Sequence, residues 1–225
     1  MVLVFMLTAG AVMAETKITV GGTGDVRVSA DTAVISLGVN ARDKDVLKAQ
    51  QKVNETIAAI RTALIGKGAK EENINTEMIN IYALYDYQND QEQLSAYNAS
   101  STLAIKVTDM ESVGALIDAA FAAGANTLNG ISFSASDTEE AKTEAMQKAV
   151  ADAKQKAEIL ADASGLKITG IEVISEDGVY SYENNIGNIY DRKMDIAEAA
   201  ADSETVVQAA KLIISASVSI TFSAE

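Results

Sequence analysis

Two groups of carboxylates come closest, in residue type and spacing, to a catalytic or metal-binding arrangement. Asp86, Asp90 and Glu92 lie within one short segment, and Glu176 is next to Asp177. Carboxylate oxygens bind Ca²⁺ or Mg²⁺, and a pair of carboxyl groups can hydrolyse a glycosidic bond. Neither spacing matches a calcium-binding loop, and chance clusters are expected among 32 acidic residues. We therefore assign no catalytic, cofactor-binding or metal-ligating residue, and interpret both groups as solvated loop charge.

The absence of whole residue types narrows the chemistry further. The 225 residues include no His, Cys, Pro or Trp. Without His and Cys there are no imidazole metal sites, no Ser-His-Asp or Cys-His triads and no disulfides. The 18 basic and 32 acidic residues give a net charge of −14, which argues against nucleic acid or anionic lipid as the main partner. The composition predicts a protein that is not an enzyme.

The segment Gly21-Gly22-Thr23-Gly24 has the composition of a phosphate-binding loop. Such a loop opens a helix, and in one common form it continues with Gly-Lys-Ser/Thr. Here the alternating apolar residues of a strand follow instead. We interpret the glycines as a flexible or bulged part of a strand.

The seven tyrosines are the best candidates for an interaction surface. Four of them fall on one predicted hairpin, and three lie in the acidic segment after residue 175. Aromatic side chains anchor protein interfaces, although cross-strand packing also places them in hairpins. We predict a candidate interface formed by the following residues: Tyr82, Tyr85, Tyr87, Tyr97, Tyr180, Tyr182 and Tyr190.

The spacing of apolar residues predicts the elements that position these side chains. Strands are predicted at Ile18–Val28, Ala33–Val39, Ile74–Tyr87, Tyr97–Val107, Leu128–Ala135, Ile168–Ser175 and Lys211–Phe222. The first two form either an antiparallel pair or one long bent strand, and the third and fourth form a hairpin. Helices are predicted from Asp43 to Gly66 and from Glu111 to Ala122. This succession predicts an α+β fold with helices packed on one side of a largely antiparallel sheet.

The third and longest helix has the clearest sequence pattern. A capping box at Ser136 and Glu139 predicts its start, and Gly165 predicts its end. Alanine recurs every four residues from Ala141 to Ala161, a ridge that allows close packing against a sheet or another helix. Lysines and carboxylates four residues apart predict a salt-bridged solvent face.

The chain is predicted to form one domain after a short leader. Residues 1–14 carry no charge and end in small residues, which predicts a secretory signal segment. That segment is too short to span a bilayer. Residues 15–225 form the single predicted domain. Within it, we interpret the acidic segment at about 176–208 as an insertion. A connection this long is usually functional, mobile or engaged by a partner.

Several stretches together resemble the SIMPL-domain family, a large bacterial family of mostly uncharacterised proteins. The matching stretches are Ile18–Val39, Tyr97–Val107, Gly124–Ser136, Ala149–Gly165 and Ser215–Phe222. The chain departs from the family pattern at Ala30, where proline is frequent, and in its acidic insertion. The resemblance implies an extracytoplasmic α+β protein, homo-oligomers in some members, and an association with envelope or oxidative stress. It implies no catalytic residues.

These observations lead to one main functional hypothesis and two alternatives. The main hypothesis is a periplasmic or otherwise extracytoplasmic, non-enzymatic protein that self-assembles and supports the cell envelope under stress. Its partners would be further copies of itself and envelope components, without nucleic acid and without a membrane span in the mature chain. The alternatives are a small-ligand or metal-binding module, and a carboxylate-dependent hydrolase with a carboxyl pair in a cleft.

Overall fold

A computed structural model describes residues 16–88, 91–183, 205–209 and 211–225. The elements, in chain order, are β1 (Thr16–Ser29), β2 (Thr32–Asp43), α1 (Val46–Gly66), β3 (Ile74–Gln88), β4 (Gln91–Val107), α2 (Val113–Ala122), β5 (Thr127–Ser134), α3 (Glu139–Ala163), β6 (Ile168–Glu183) and β7 (Lys211–Ala224). The predicted α+β class is confirmed. The predicted signal segment 1–14, Tyr190 and much of the predicted insertion lie outside the described residues.

The strands form two antiparallel sheets. One sheet has the order β1-β7-β6 and the other β3-β4-β2-β5. The chain correspondingly divides into two compact units. The first contains the described residues of Met1–Arg27, Thr138–Tyr182 and Ile213–Glu225, and the second those of Val28–Asp137 and Glu183–Leu212. The predicted strands at Ile18–Val28 and Ala33–Val39 are therefore neither a pair nor one bent strand, since they join different sheets.

In the first unit, α3 packs closely against β1. The predicted alanine ridge is confirmed, because the six alanines that recur at intervals of four are all buried: Ala141, Ala145, Ala149, Ala153, Ala157 and Ala161. Gly22 and Gly24 are buried on the face of β1 that the ridge contacts. A Cβ atom on Gly22 would lie 2.7 Å from the amide nitrogen of Ala153, and one on Gly24 2.6 Å from that of Ala149. These glycines therefore serve close helix packing, which corrects their interpretation as a flexible or bulged segment.

The predicted capping box at Ser136 is wrong. Helix α3 begins at Glu139 after Thr138, whose side chain makes no capping hydrogen bond. The hydroxyl of Ser136 instead donates to Asp31 Oδ2 at 2.6 Å, and its amide donates to Asp31 Oδ1 at 2.9 Å. The Asp31 carboxylate therefore accepts the Ser136 amide hydrogen that Glu139 would accept in a capping box, and the Glu139 carboxylate pairs with Lys142 at 2.7 Å. The predicted salt-bridged face of the helix is confirmed, with Lys148–Glu144 at 2.8 Å.

In the second unit, α1 and α2 pack against the four-stranded sheet. Asp45 caps α1, because its Oδ1 accepts from the amide of Leu47 at 2.8 Å. The main apolar core joins both helices to the strands, and its fully buried residues include Ile35, Leu37, Ile60, Leu64, Leu103, Ile105, Val113, Leu116 and Ile117. No helix among the described residues is long and apolar enough to cross a membrane.

Two strands extend by six or more residues beyond the ranges that the apolar pattern predicts. β4 begins at Gln91 rather than Tyr97, and β6 continues past Ser175 to Glu183. Glu176 and Asp177 are exposed as predicted, but they lie within β6 and not in a loop. Their strand contains four carboxylates, which lowers its apolar signal although the backbone remains extended.

Candidate interaction surface

Strand β3 is an outer strand of the four-stranded sheet. It pairs with β4 along its length, and two register shifts bound the regularly paired segment Met78–Leu84. An outer strand presents backbone N–H and C=O groups on its free side, and another strand can pair with them. The strand has 15 residues, which is far longer than the usual five or six.

The regularly paired segment carries apolar side chains on both faces of the sheet. Ile81 lies opposite Ala99, which is buried in a cluster with residues of α1. Ile79 shares that face because side chains alternate along a strand, whereas Met78 and Tyr82 lie on the other face. We use the name β3 surface for the exposed apolar residues of this hairpin: Met78, Ile79, Ile81, Tyr82 and Tyr85 of β3 and Leu94 of β4.

Strand β3 differs from the other outer strands because it is long and also contains a long run without charge. Natural proteins protect outer strands by making them short or charged. β5 has only eight residues, β1 contains three charged residues, and β6 contains four carboxylates. In β3, Glu77 and Asp86 bracket an eight-residue run without charge. Glu77 also accepts a hydrogen bond from the hydroxyl of Ser36 at 2.5 Å, so it is held toward its own sheet.

The structure separates the tyrosines predicted as a candidate interface. Tyr82 and Tyr85 are exposed on β3. Tyr97 is half-buried and packs against the cluster under α1. Tyr180 is exposed on β6, and its hydroxyl donates to the carbonyl oxygen of Asp177 at 3.1 Å. The other three fall outside the described side chains: Tyr87, Tyr182 and Tyr190. The interface role of all seven stays a prediction.

The carboxylates with clearly shifted pKa values have structural roles. Their pKa values are all held below the ordinary range, and in each case the largest cause is a side-chain hydrogen bond from a neighbour: Asp31, Asp43, Asp118, Asp152 and Glu172. A general acid needs the opposite shift, a pKa raised toward neutrality. Among the described residues no group of three or more carboxylates could hold a metal ion.

Sequence reasoning missed the aliphatic half of the β3 surface. The side chain of Ile79 is 66% exposed and that of Met78 is 53% exposed. The available signal was the loss of strict alternation between Met78 and Tyr85, where apolar residues occupy both faces of the strand. Such a run is typical of a strand buried on both faces, and here it occurs on an outer strand.

Comparisons with known proteins identify relatives along most of the chain. The family model SIMPL, a protein family of unknown function (DUF541), matches residues 18–222. The chain is 29% identical over 165 residues to the 26 kDa periplasmic immunogenic protein of Brucella melitensis, covering 71% of this chain and 66%, just under two thirds, of that protein. It is 26% identical over 199 residues to the uncharacterised protein YggE of Escherichia coli K12, covering 86% of this chain and 77% of YggE.

Proposed function

The chain belongs to the SIMPL family, and from that membership and the uncharged run in its outer strand β3 we propose a periplasmic protein that assembles with copies of itself through β3. The periplasmic location is supported by the relative from Brucella melitensis, which is named as a periplasmic protein. The observation that carries the assembly is the mostly exposed run Met78–Tyr85, which has free backbone groups on its outer side, apolar side chains on both faces and no charge.

Antiparallel pairing of two β3 strands around a two-fold axis near Ile81 fits the positions of the charges. In that register, Glu77 of one copy lies opposite Tyr85 of the other, and Asp86 lies opposite Thr76. No carboxylate of the strand then faces another, which avoids the cost of opposed like charges. A two-fold interface uses the same surface on both copies, so one outer strand with an uncharged central run is sufficient for a dimer.

Light scattering after size exclusion tests the assembly directly. We expect a mass above the 23.6 kDa of one chain, and we expect higher salt to strengthen association because it screens the repulsion between subunits of charge −14. Ile79→Lys places a charge on the outer strand and should yield a monomer. Ile159→Lys is the matched control, since Ile159 lies on α3 and is 59% exposed. A monomer at both low and high salt contradicts the proposal, as does equal loss of association in both variants.

Disulfide formation tests the pairing register, because the chain has no native cysteine. In a two-fold antiparallel pair, a residue meets its own copy only near the axis. Ile81→Cys should therefore give a disulfide-linked dimer under mild oxidation, and Thr76→Cys should not. Efficient crosslinking at Thr76 with none at Ile81 would rule out this register while leaving assembly itself open to the scattering measurement.

The proposed role of the assembly is support of the cell envelope under oxidative stress. Family resemblance supports this role. If the role requires association through β3, a variant that does not associate should lose it. A strain lacking the protein should survive peroxide less well, and the wild-type chain should restore survival. Ile79→Lys should fail to restore it, whereas Ile159→Lys should succeed. Full rescue by Ile79→Lys would show that the role in stress survival does not depend on assembly.

A further inference from the structure

The four-stranded sheet has hydroxyl and amide side chains on the face opposite to the one that packs against α1 and α2. Residues that pair directly across antiparallel strands lie on the same face. Gly38 pairs with Thr102 on the polar side, whereas the neighbouring Leu37 and its partner Leu103 lie in the core. We use the name polar face for six residues of this side: Ser36, Asn80, Tyr82, Ser100, Thr102 and Asn129.

Two β-bulges direct extra side chains toward the centre of the polar face. Glu77 is the extra residue of β3 at one bulge, and Asn129 is the extra residue of β5 at the other. The hydroxyl of Ser36 donates to Glu77 Oε2 at 2.5 Å. The side-chain amide of Asn129 lies 3.4 Å from Ser36 Oγ and 3.5 Å from Thr102 Oγ1. All four strands therefore contribute a polar side chain to one point, and bulges that redirect side chains are frequent next to functional sites.

The hydrogen bonds within this group leave donors available to a ligand. The two distances from the Asn129 amide are well beyond the usual 2.9–3.0 Å of an N–H···O bond. An amide has two N–H donors and one acceptor oxygen, and Asn129 is exposed, so it can turn toward a bound molecule. Asn80 is also exposed, and the hydroxyl of Ser100 makes a similarly long bond, 3.4 Å, to the carbonyl oxygen of Asn80.

An exposed tyrosine ring lies on the same face at a distance from this group. Tyr82 is four residues along β3 from Met78, the residue that pairs with Thr102, which corresponds to about 14 Å at 3.4 Å per residue. Asn80 and its partner Ser100 lie between them. The ring thus supplies an apolar surface with a polar tip at one end of a row of hydrogen-bonding groups, and the row is longer than one sugar ring.

The chemistry of the polar face selects the class of ligand. Its six residues carry no charge, in a chain of net charge −14. A phosphate-bearing partner needs cations, and the centre of a protein interface is depleted in serine. Hydroxyl and amide groups both donate and accept, which suits a ligand made of hydroxyl groups. Glu77 beside Ser36 is a further acceptor for such groups.

We propose that the polar face binds a neutral oligosaccharide. Tyr82 packs against the C–H face of one sugar ring, and the group around Ser36 and Asn129 forms hydrogen bonds with the hydroxyls of another. The inference does not rest on self-assembly, because Ser36 and Asn129 belong to β2 and β5, away from the outer side of β3.

Calorimetric titration of the full chain with chitotetraose, a neutral chain of N-acetylated sugars, tests the site. We expect saturable binding that is the same at low and high salt, because no ion pair contributes. Asn129→Ala should weaken it about three- to tenfold, the loss expected for a neutral hydrogen bond. Gln147→Ala is the matched control, since it removes an exposed amide from α3 and should leave binding unchanged.

A second pair of variants tests the aromatic contact. Tyr82→Ala should weaken binding about tenfold, as truncation of an aromatic anchor does. Tyr180→Ala removes an exposed tyrosine from β6 and should have no effect. Thermal melting checks that each variant is folded. Equal weakening in a variant and its control overturns the proposal.

Two further titrations complete the test. Cellotetraose lacks the acetamido groups, so tighter binding of chitotetraose shows that the site contacts them, equal or tighter binding of cellotetraose shows that hydroxyls are sufficient, and each result supports the site. Binding of neither sugar chain overturns the proposal. Ile79→Lys, on the other face of β3, should bind as the wild type does even when it is a monomer. Loss of binding in folded Ile79→Lys would overturn the placement of the site on the polar face.

Discussion

Replacement of Gly22 by alanine is the sharpest test of how the first unit is held together. The added Cβ atom would lie 2.7 Å from the amide nitrogen and 2.8 Å from the Cβ of Ala153, and closer still to the carbonyl oxygen of Ala149. Two of these three atoms are backbone of α3, so no side-chain rotation relieves the clash. The helix must therefore move away from β1 by about 0.5–1 Å, which forfeits a quarter to a half of the dispersion energy of each contact it loosens.

The expected magnitude follows from two opposing effects. Overpacking of a buried site typically costs about 1–3 kcal/mol. A glycine replaced by alanine at a compatible position gains about 0.4–1 kcal/mol through the unfolded state. The difference predicts that Gly22→Ala lowers the free energy of unfolding by up to about 2.6 kcal/mol, with a fall in Tm of about 2–4 °C per kcal/mol for a chain of this size.

Gly21→Ala is the matched control on the same strand. Its Cβ atom would meet only the carbonyl oxygen of Val218 at 3.9 Å, which is an ordinary contact. This variant should be as stable as the wild type or slightly more stable. Urea unfolding followed by circular dichroism measures both variants, and an unchanged m-value confirms that the compared states are alike. Equal stability of the two variants would refute the close-packing argument.

Three further predictions concern the helix cap, acid stability and the N-terminus. Asp45→Ala removes the cap of α1 and should cost about 1 kcal/mol in urea unfolding, whereas Asp45→Asn should cost much less. The five carboxylates with lowered pKa values contribute stability that is complete above their ordinary values, 3.8 for Asp and 4.5 for Glu, and is lost as the pH falls through the folded-state values. Tm should therefore vary little between pH 7 and pH 5 from this source and fall below about pH 4. Finally, the mass of the exported protein should correspond to a chain beginning at Glu15, and a mass that includes Met1 would contradict the predicted signal segment.

The sequence predicts the helices well because their patterns are local. The alanine ridge of α3 follows directly from a repeat of four, and the structure buries every member of it. The assignment of strands to sheets is different. β1 and β2 have the same alternating pattern, yet they belong to different sheets, because alternation indicates one buried face and carries no information about the neighbouring strand.

The glycines of β1 lie in a strand, as the sequence predicts, but the predicted reason for them, a flexible or bulged segment, was wrong. Gly22 and Gly24 continue the buried face of Val20 and Val26 at the same period of two. That register is the available signal for close packing, but it becomes decisive only when α3 is known to lie over the strand. The capping box failed similarly, because the competing acceptor, Asp31, lies far from Ser136 in sequence.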